Sequence, residues 1–442
     1  MGFTVTRRAQ SLVGPSGATP SETLRLSIID RVAGLRHLVR SLHVFARSRD
    51  RTATATESES ESEPARAIRG ALGEALVRYY PFAGRFVEGA DGEVRVECNG
   101  EGVFFTEAAG NCSLEEVRYL DHPMAIHQDQ LLPDPTPEID PINLPLMLQV
   151  TEFTCGGFVV GLVSVHTIAD GLGAGQLVNA IGELARGLAR PTVEPIWARE
   201  LIPSPPKLPP GPPPVFPTFK LQYYTTDLSP AHVNKVKAQY FESVGQRCST
   251  FDVAIAKAWQ ARTRAIQLGP DEQVRVCFFA NTRHLLPKDR EPAGFGFGFG
   301  FGFGFYGNCF YPVTVTATSR RVAMGELIEV VRIIREAKAR LPGQFAKWAV
   351  GDFEEDPYEL SFTYDSLFVS DWTRLGFLEV DYGWGPPVHV MPFAYYQFMA
   401  VAIIGAPPAP QKGTRLMTQC VEKDHLQAFQ DELKTFSSDA SA

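Results

Sequence analysis

Residues 157–173 read Gly-Phe-Val-Val-Gly-Leu-Val-Ser-Val-His-Thr-Ile-Ala-Asp-Gly-Leu-Gly. The run from Phe158 to Val165 is almost wholly apolar and rich in β-branched residues, which predicts a buried strand. His166 and Asp170 follow at its end, with Gly171 and Gly173 leaving room for another backbone or a ligand to come close. From Ala174 to Leu188 apolar residues recur near a spacing of 3.6, which predicts a helix. Strand ends are where α/β proteins gather reactive groups. A histidine there is a candidate for chemistry, although a packed or surface histidine is the commoner finding.

Strand-like segments also occur at 94–98, 103–105 and 148–153, and on both sides of a Gly-Phe run, at 274–286 and 306–317. Ser249-Thr250-Phe251-Asp252 is a helix-start signature, and the helix it opens is expected to reach about Leu268. A further helix is expected over Met324–Leu341. Strands mixed with helices in both halves point to an α/β fold.

At 442 residues the chain can hold two or three cores. With 44% hydrophobic and 21% charged residues it has the balance of a globular protein, and a net charge of −8 argues against nucleic-acid or anionic-membrane partners. No run of about twenty apolar residues could span a bilayer, and the N-terminus lacks a secretory h-region. The seven cysteines are scattered without a C-x-x-C pair, so the expectation is a cytoplasmic protein with free thiols and no metal site.

Three segments depart from average composition. Glu57–Glu63 alternates Glu and Ser and reads as a solvated loop. Pro203–Pro217 is a stiff proline-rich connector, either an interdomain crossover or a ligand for a proline-recognising module. Gly294–Phe305 holds six Gly-Phe units, read as an expanded loop between two strands rather than a phase-separating module. These markers divide the chain into an N-terminal domain over 1–195, a crossover over 196–218 and a C-terminal domain over 219–442.

The His166-x-x-x-Asp170-Gly171 pattern resembles the H-x-x-x-D-G signature of CoA-dependent acyltransferases. Asp381-Tyr382-Gly383-Trp384-Gly385 stands where plant BAHD acyltransferases carry D-F-G-W-G. The blocks at 79–86, 149–161, 249–263 and 305–310 are similar to that family in the same order. Residues 19–45, 204–214 and 356–385 look closest to the grass p-coumaroyl-CoA:monolignol transferases. The resemblance implies two chloramphenicol-acetyltransferase-like domains with mixed sheets and a solvent tunnel at their interface. It also implies no cofactor beyond a coenzyme A thioester as co-substrate; a monomer is the expectation, although the sequence does not fix the oligomeric state.

What such chemistry needs can be set against single residues. A neutral hydroxyl is a poor nucleophile, and a base near neutral pKa helps by roughly 10²–10⁴-fold. His166 is that base, in a ternary complex without an acyl-enzyme. Asp170 either orients the imidazole or forms a structural ion pair; the resemblance implies the latter, with Arg283 as partner, although Asn281 stands where the family usually has Asp. Trp372 is the candidate oxyanion donor, or else core. Ser249, Thr250 and Ser370 are candidates for CoA binding, with ordinary helix capping as the plainer reading of the first two. Asp381, Gly383, Trp384 and Gly385 read as structural. Cys155, in a strand-like apolar stretch, reads as inert packing. The segment 355–366 contains no Arg or Lys, where relatives using shikimate or quinate carry an arginine, so an uncharged alcohol is expected. The resemblance implies p-coumaroyl transfer to a monolignol, with feruloyl-CoA or another acyl-CoA as donor, or another alcohol or an amine as acceptor, as the alternative.

Overall fold

The computed structural model describes residues 2–47, 63–135, 139–206, 216–286, 304–393 and 396–437. Residues 57–62 of the acidic loop, 207–215 of the proline-rich connector and 294–303 of the Gly-Phe run lie outside them.

The N-terminal half contributes β1 (Val5–Val13), β2 (Thr23–Arg25), β3 (Leu38–Phe45), α1 (Pro64–Arg78), β4 (Arg85–Glu88), β5 (Val94–Glu97), β6 (Val103–Gly110), β7 (Leu146–Glu152), β8 (Phe158–Val165) and α2 (Gly171–Ala185). The C-terminal half supplies β9 (Leu221–Leu228), α3 (Pro230–Val244), α4 (Thr250–Ile266), β10 (Gln273–Asn281), β11 (Phe310–Thr318), α5 (Ser319–Met324) and α6 (Leu327–Ala349). It ends with β12 (Ser366–Asp371), β13 (His389–Phe393), β14 (Val401–Gly405), β15 (Thr414–Glu422) and α7 (Lys423–Lys434).

Two six-stranded mixed sheets, in the orders β1-β6-β7-β8-β3-β13 and β11-β10-β12-β14-β15-β9, dominate the architecture, with a small β2-β5-β4 sheet beside the first. β13 leaves the C-terminal half and pairs antiparallel with β3, Met391 opposite Leu42. The α/β class with mixed sheets in both halves matches the expectation from sequence.

β8 is buried along its whole length because both its faces are covered. Val160 and Leu162 pack with α1 and α2, while Val159 and Val163 pack into a separate cluster with Leu114, Leu120 and Leu131. The alternation of strand side chains splits one apolar run between two cores. α4 is the centre of the other half: Ala254, Trp259, Ala261 and most of its length are sealed from solvent. Its N-terminus carries a full capping box, Ser249 Oγ accepting from the Asp252 amide at 3.1 Å and Asp252 Oδ2 from the Ser249 amide at 2.8 Å.

Helix boundaries differ from expectation where capping and glycine decide them. α2 begins three residues before Ala174, because the Asp170 side chain caps it by accepting from the Gly173 amide. Its glycines serve contact: a Cβ at Gly173 would stand 1.9 Å from the Tyr306 carbonyl oxygen, and one at Gly175 1.7 Å from that of Leu375. The helix expected from Met324 starts instead at Leu327, after a break at Gly325, and runs past Pro342 to Ala349. Buried Phe345 and Trp348 carry that last stretch, against the loss of one amide at the proline.

Candidate active site

A cavity of about 980 Å³ lies between the two large sheets. Val39 and Ser41 of β3 and Leu162 and Ser164 of β8 line it from one side; Phe278 of β10, Ser370 of β12 and Ile403 of β14 line it from the other. His166, one residue beyond β8, opens onto it, as do Asp170, Trp372, Ser249 and Thr250.

The strand register sets where His166 stands: its amide donates to the His37 carbonyl at 3.0 Å, extending the β3/β8 pairing by one step. Its ring Nδ1 lies 3.1 Å from Asn308 Oδ1. The Asn308 amide has only one workable orientation, since Nδ2 faces three oxygens: Asp30 Oδ1 at 2.8 Å, the His166 carbonyl at 2.9 Å and the Thr167 carbonyl at 3.3 Å. Oδ1 must therefore accept, Nδ1 carries the hydrogen, and Nε2 keeps a lone pair for a substrate. Burial holds the His166 imidazole below its ordinary value, against the raising influence of its own backbone, Asp170, Asn308 and Asp30. The ring is a neutral base at physiological pH.

A second imidazole stands next to it. The His37 ring centroid is 5.4 Å from that of His166, and Tyr396 meets His37 edge-on at 4.9 Å. His37 Nδ1 donates to the Gly34 carbonyl at 2.7 Å. Burial, together with repulsion from His166 whenever that ring is protonated, pushes its pKa down to about 3.

Asp170 makes no hydrogen bond to His166. Its carboxylate takes both arms of the Arg283 guanidinium at 2.8 Å each and the amides of Gly173 and Cys309 at 2.9 and 3.1 Å. Arg283 spends its other donors on the carbonyls of Phe305 and Gly307. Such a bidentate, fully satisfied buried pair fixes the start of α2 against the loop entering β11. Asn281 Oδ1 accepts from the Arg283 amide at 3.1 Å and lies 3.3 Å from Nη1, so it contributes to the same cluster.

Trp372 follows β12, with its ring stacked on Phe377 at 5.0 Å and 24°. Its indole N–H has no protein partner among the described residues, while the ring lines the cavity. At the far end, the Ser249 hydroxyl is committed to capping α4, and Thr250 and Lys338 also line the space, Lys338 Nζ sitting 2.7 Å from Asp252.

The second motif lies elsewhere. Asp381 Oδ1 accepts from the amides of Gly383 and Gly385 at 2.7 and 2.8 Å, closing a turn in which both glycines adopt positive φ, +104° and +86°. Arg186 at the end of α2 donates to the Asp381 carbonyl, and Trp384 meets Phe158 of β8 edge-on at 5.5 Å. None of Asp381, Gly383, Trp384 or Gly385 lines the cavity.

Cys155 falls in the turn joining β7 and β8 rather than within a strand, where its sulfur accepts from the Leu114 amide at 3.4 Å. That turn is the end of β8 opposite His166, about 26 Å away along eight residues. All seven cysteines are free. Phe305, the last residue of the Gly-Phe run, is core rather than loop surface; Arg199 and Arg283 lie over its ring.

Sequence reasoning gave no role to Asn308, Asp30 or His37. Asn308 stood inside the block 305–310, where position in a shared motif was the only signal. Among the described residues no group of His, Cys, Asp and Glu is arranged to hold a metal ion, and no helix is long and apolar enough to cross a membrane.

Comparison with known proteins gives concordant results. The family model described as Transferase family matches residues 3–436. Acyl transferase 4 of Oryza sativa subsp. japonica is 64% identical over 442 residues, covering 99% of this chain and 100% of the relative. Myricetin 3-O-glucosyl 1,2-rhamnoside 6'-O-caffeoyltransferase AT2 of Crocosmia x crocosmiiflora is 39% identical, covering 99% and 100%. The crystal structure of vinorine synthase shares the fold, with a TM-score of 0.71 at 18% identity over 98% of each chain.

Proposed function

Because the chain belongs to the Transferase family, as a plant BAHD acyl-CoA-dependent O-acyltransferase, we propose that it moves a p-coumaroyl group from its CoA thioester to the terminal hydroxyl of a monolignol such as sinapyl or coniferyl alcohol. The observation that carries this reading is the aromatic wall that lines the cavity on the side of His37. Tyr358, Leu360 and Phe362 line it from the segment that contains no Arg or Lys, and Phe398 and Tyr396 extend that wall towards His37. Ser41 Oγ pairs with His43 Nε2 at 2.9 Å, and Ser164 offers a hydroxyl without a protein partner among the described residues. These polar points in an apolar recess suit a phenolic ring. The relative from Crocosmia is named for caffeoyl transfer, a hydroxycinnamoyl group of the same class.

The reaction proceeds in a ternary complex. His166 Nε2 takes the proton of the acceptor hydroxyl as its oxygen bonds to the thioester carbonyl carbon. The carbonyl oxygen becomes an oxyanion, for which the Trp372 indole N–H is the candidate donor. Collapse of the intermediate breaks the C–S bond, and the departing CoA thiolate recovers the proton from His166. Asp170 acts at a distance by holding the His166–Gly173 turn on Arg283. Thr250 and Ser370, with the N-terminus of α4, are the candidate CoA contacts, and Ser249 acts there through its cap. The chain works as a cytoplasmic monomer with two domains joined at 196–218.

The Crocosmia name also favours a second reading, in which the acceptor hydroxyl belongs to a sugar of a glycoside. Purified protein assayed with p-coumaroyl-, feruloyl- and caffeoyl-CoA against sinapyl alcohol, coniferyl alcohol, a flavonoid glycoside and shikimate separates the two. The highest kcat/KM for p-coumaroyl-CoA with a monolignol is expected; preference for shikimate would sink the proposal.

A further inference from the structure

The crossover between the halves sends a charged side chain under the active centre. Arg199 is 3% exposed and ion-pairs with Asp30, itself 1% exposed, through Nε at 3.2 Å from Oδ2. Its Nη2 donates to the Ile168 carbonyl at 2.5 Å, and its guanidinium lies 3.7 Å over the Trp197 ring. Asp30 Oδ2 also accepts the Ser27 amide at 3.0 Å, which leaves Oδ1 to the backbone and side-chain amides of Asn308 at 3.1 and 2.8 Å. Asn308, wholly buried, then presents Oδ1 to His166 Nδ1.

From this chain of contacts we infer that Asp30, clamped by Arg199, is a positioning residue for the reaction: through Asn308 it fixes which nitrogen of His166 faces the substrate, and its charge supports the imidazolium that forms in transfer. The inference rests on His166 being the base. It differs from the Asp170–Arg283 pair, which touches the backbone after His166 and not its ring. A buried carboxylate relayed by one amide stands to the imidazole as the aspartate of a triad does, with the neutral asparagine passing on orientation directly and charge through space. An Asp30 that merely tied the 27–31 turn to the crossover would affect stability alone. As positioning residue it also changes proton affinity at His166, in the direction its neighbouring charge already acts.

The test uses full-length Asp30→Asn, which keeps an oxygen for the Asn308 amides and removes the charge. kcat and KM are measured from pH 5 to 9 with p-coumaroyl-CoA and sinapyl alcohol. Expected is a fall in kcat of about 10–100-fold, by analogy with the loss when the outer partners of metal-binding histidines are removed. KM should stay within about 3-fold, and the acid limb of the kcat profile should move to lower pH. Unchanged kcat, or a loss of kcat with the acid limb unmoved, overturns the inference. Should the single variant fail to fold, the double variant Asp30→Asn/Arg199→Met removes both charges of the buried pair together and is read the same way. His166→Ala in parallel keeps the two ideas apart. Full activity there removes the base itself, whereas an inactive His166→Ala beside a wild-type-like Asp30→Asn profile sinks this inference alone.

Discussion

Two short glycine-containing motifs, residues 166–173 and residues 381–385, look equally like functional signatures, yet they occupy different environments. The first sits where β8 ends and opens on the cavity; the second closes a turn on the back of α2. Both use an aspartate to collect backbone amides. At Asp170 two amides and an arginine share the carboxylate, and the proposed base, His166, stands one turn before it. At Asp381 one oxygen takes two amides of its own turn, and no reacting group is near. Glycine and aspartate together therefore mark a demanding backbone path; only the strand end that carries them tells whether a substrate will meet it.

The contrast is broken or sharpened by substitution. His166→Ala should lower kcat by about 10²–10⁴-fold with the melting temperature unchanged, the share that general-base catalysis supplies; steady-state assays beside calorimetry check both halves. Trp372→Phe keeps the ring stack on Phe377 and deletes one donor, so kcat should fall by about 10²–10³-fold. If kcat holds while KM rises, the indole is packing. Asp381→Ala should do the reverse of His166→Ala: stability falls by about 2–4 kcal/mol for two amide bonds to a carboxylate, and activity per folded molecule stays level, as urea titration with active-site counting would show.

Acid sensitivity compares the interior of the first large sheet, where His43 of β3 and His389 of β13 lie, with solvent. Burial holds His43 and His389 at about 4 in the folded state, against 6.5 when free. The unfolded chain therefore binds more protons below pH 6.5, and stability is lost as pH falls from there. At pH 5.5 the two together should lower unfolding free energy by about 1 kcal/mol each, read from denaturation curves at several pH values. Replacing Cys155 with Ala should change least, with turnover within about 3-fold, given its place at the far end of β8; near-complete loss in folded protein would revive an acyl-enzyme route.

The strand at 158–165, the cap at Ser249 and the placing of His166 at a strand end were legible because each is written in adjacent residues. Helix ends were less so: Asp170 starts α2 before the apolar pattern does, and Phe345 with Trp348 draws α6 beyond Pro342. The support of His166 was not legible. Asp30, Arg199 and Asn308 come from three segments more than a hundred residues apart, and nothing local distinguishes a buried asparagine that passes on an interaction from one on the surface. The crossover read as a spacer because its prolines dominate, although Ile196, Ala198 and Ile202 are core.

β13 gives the assembly one more property. Were the two halves produced as separate polypeptides, the first would be left with β3 as a naked edge, its Leu42 and Val44 ladder open to any passing strand. Co-expression would have to thread that strand back before self-association, so gene splitting at the crossover should give insoluble protein unless both pieces are made together.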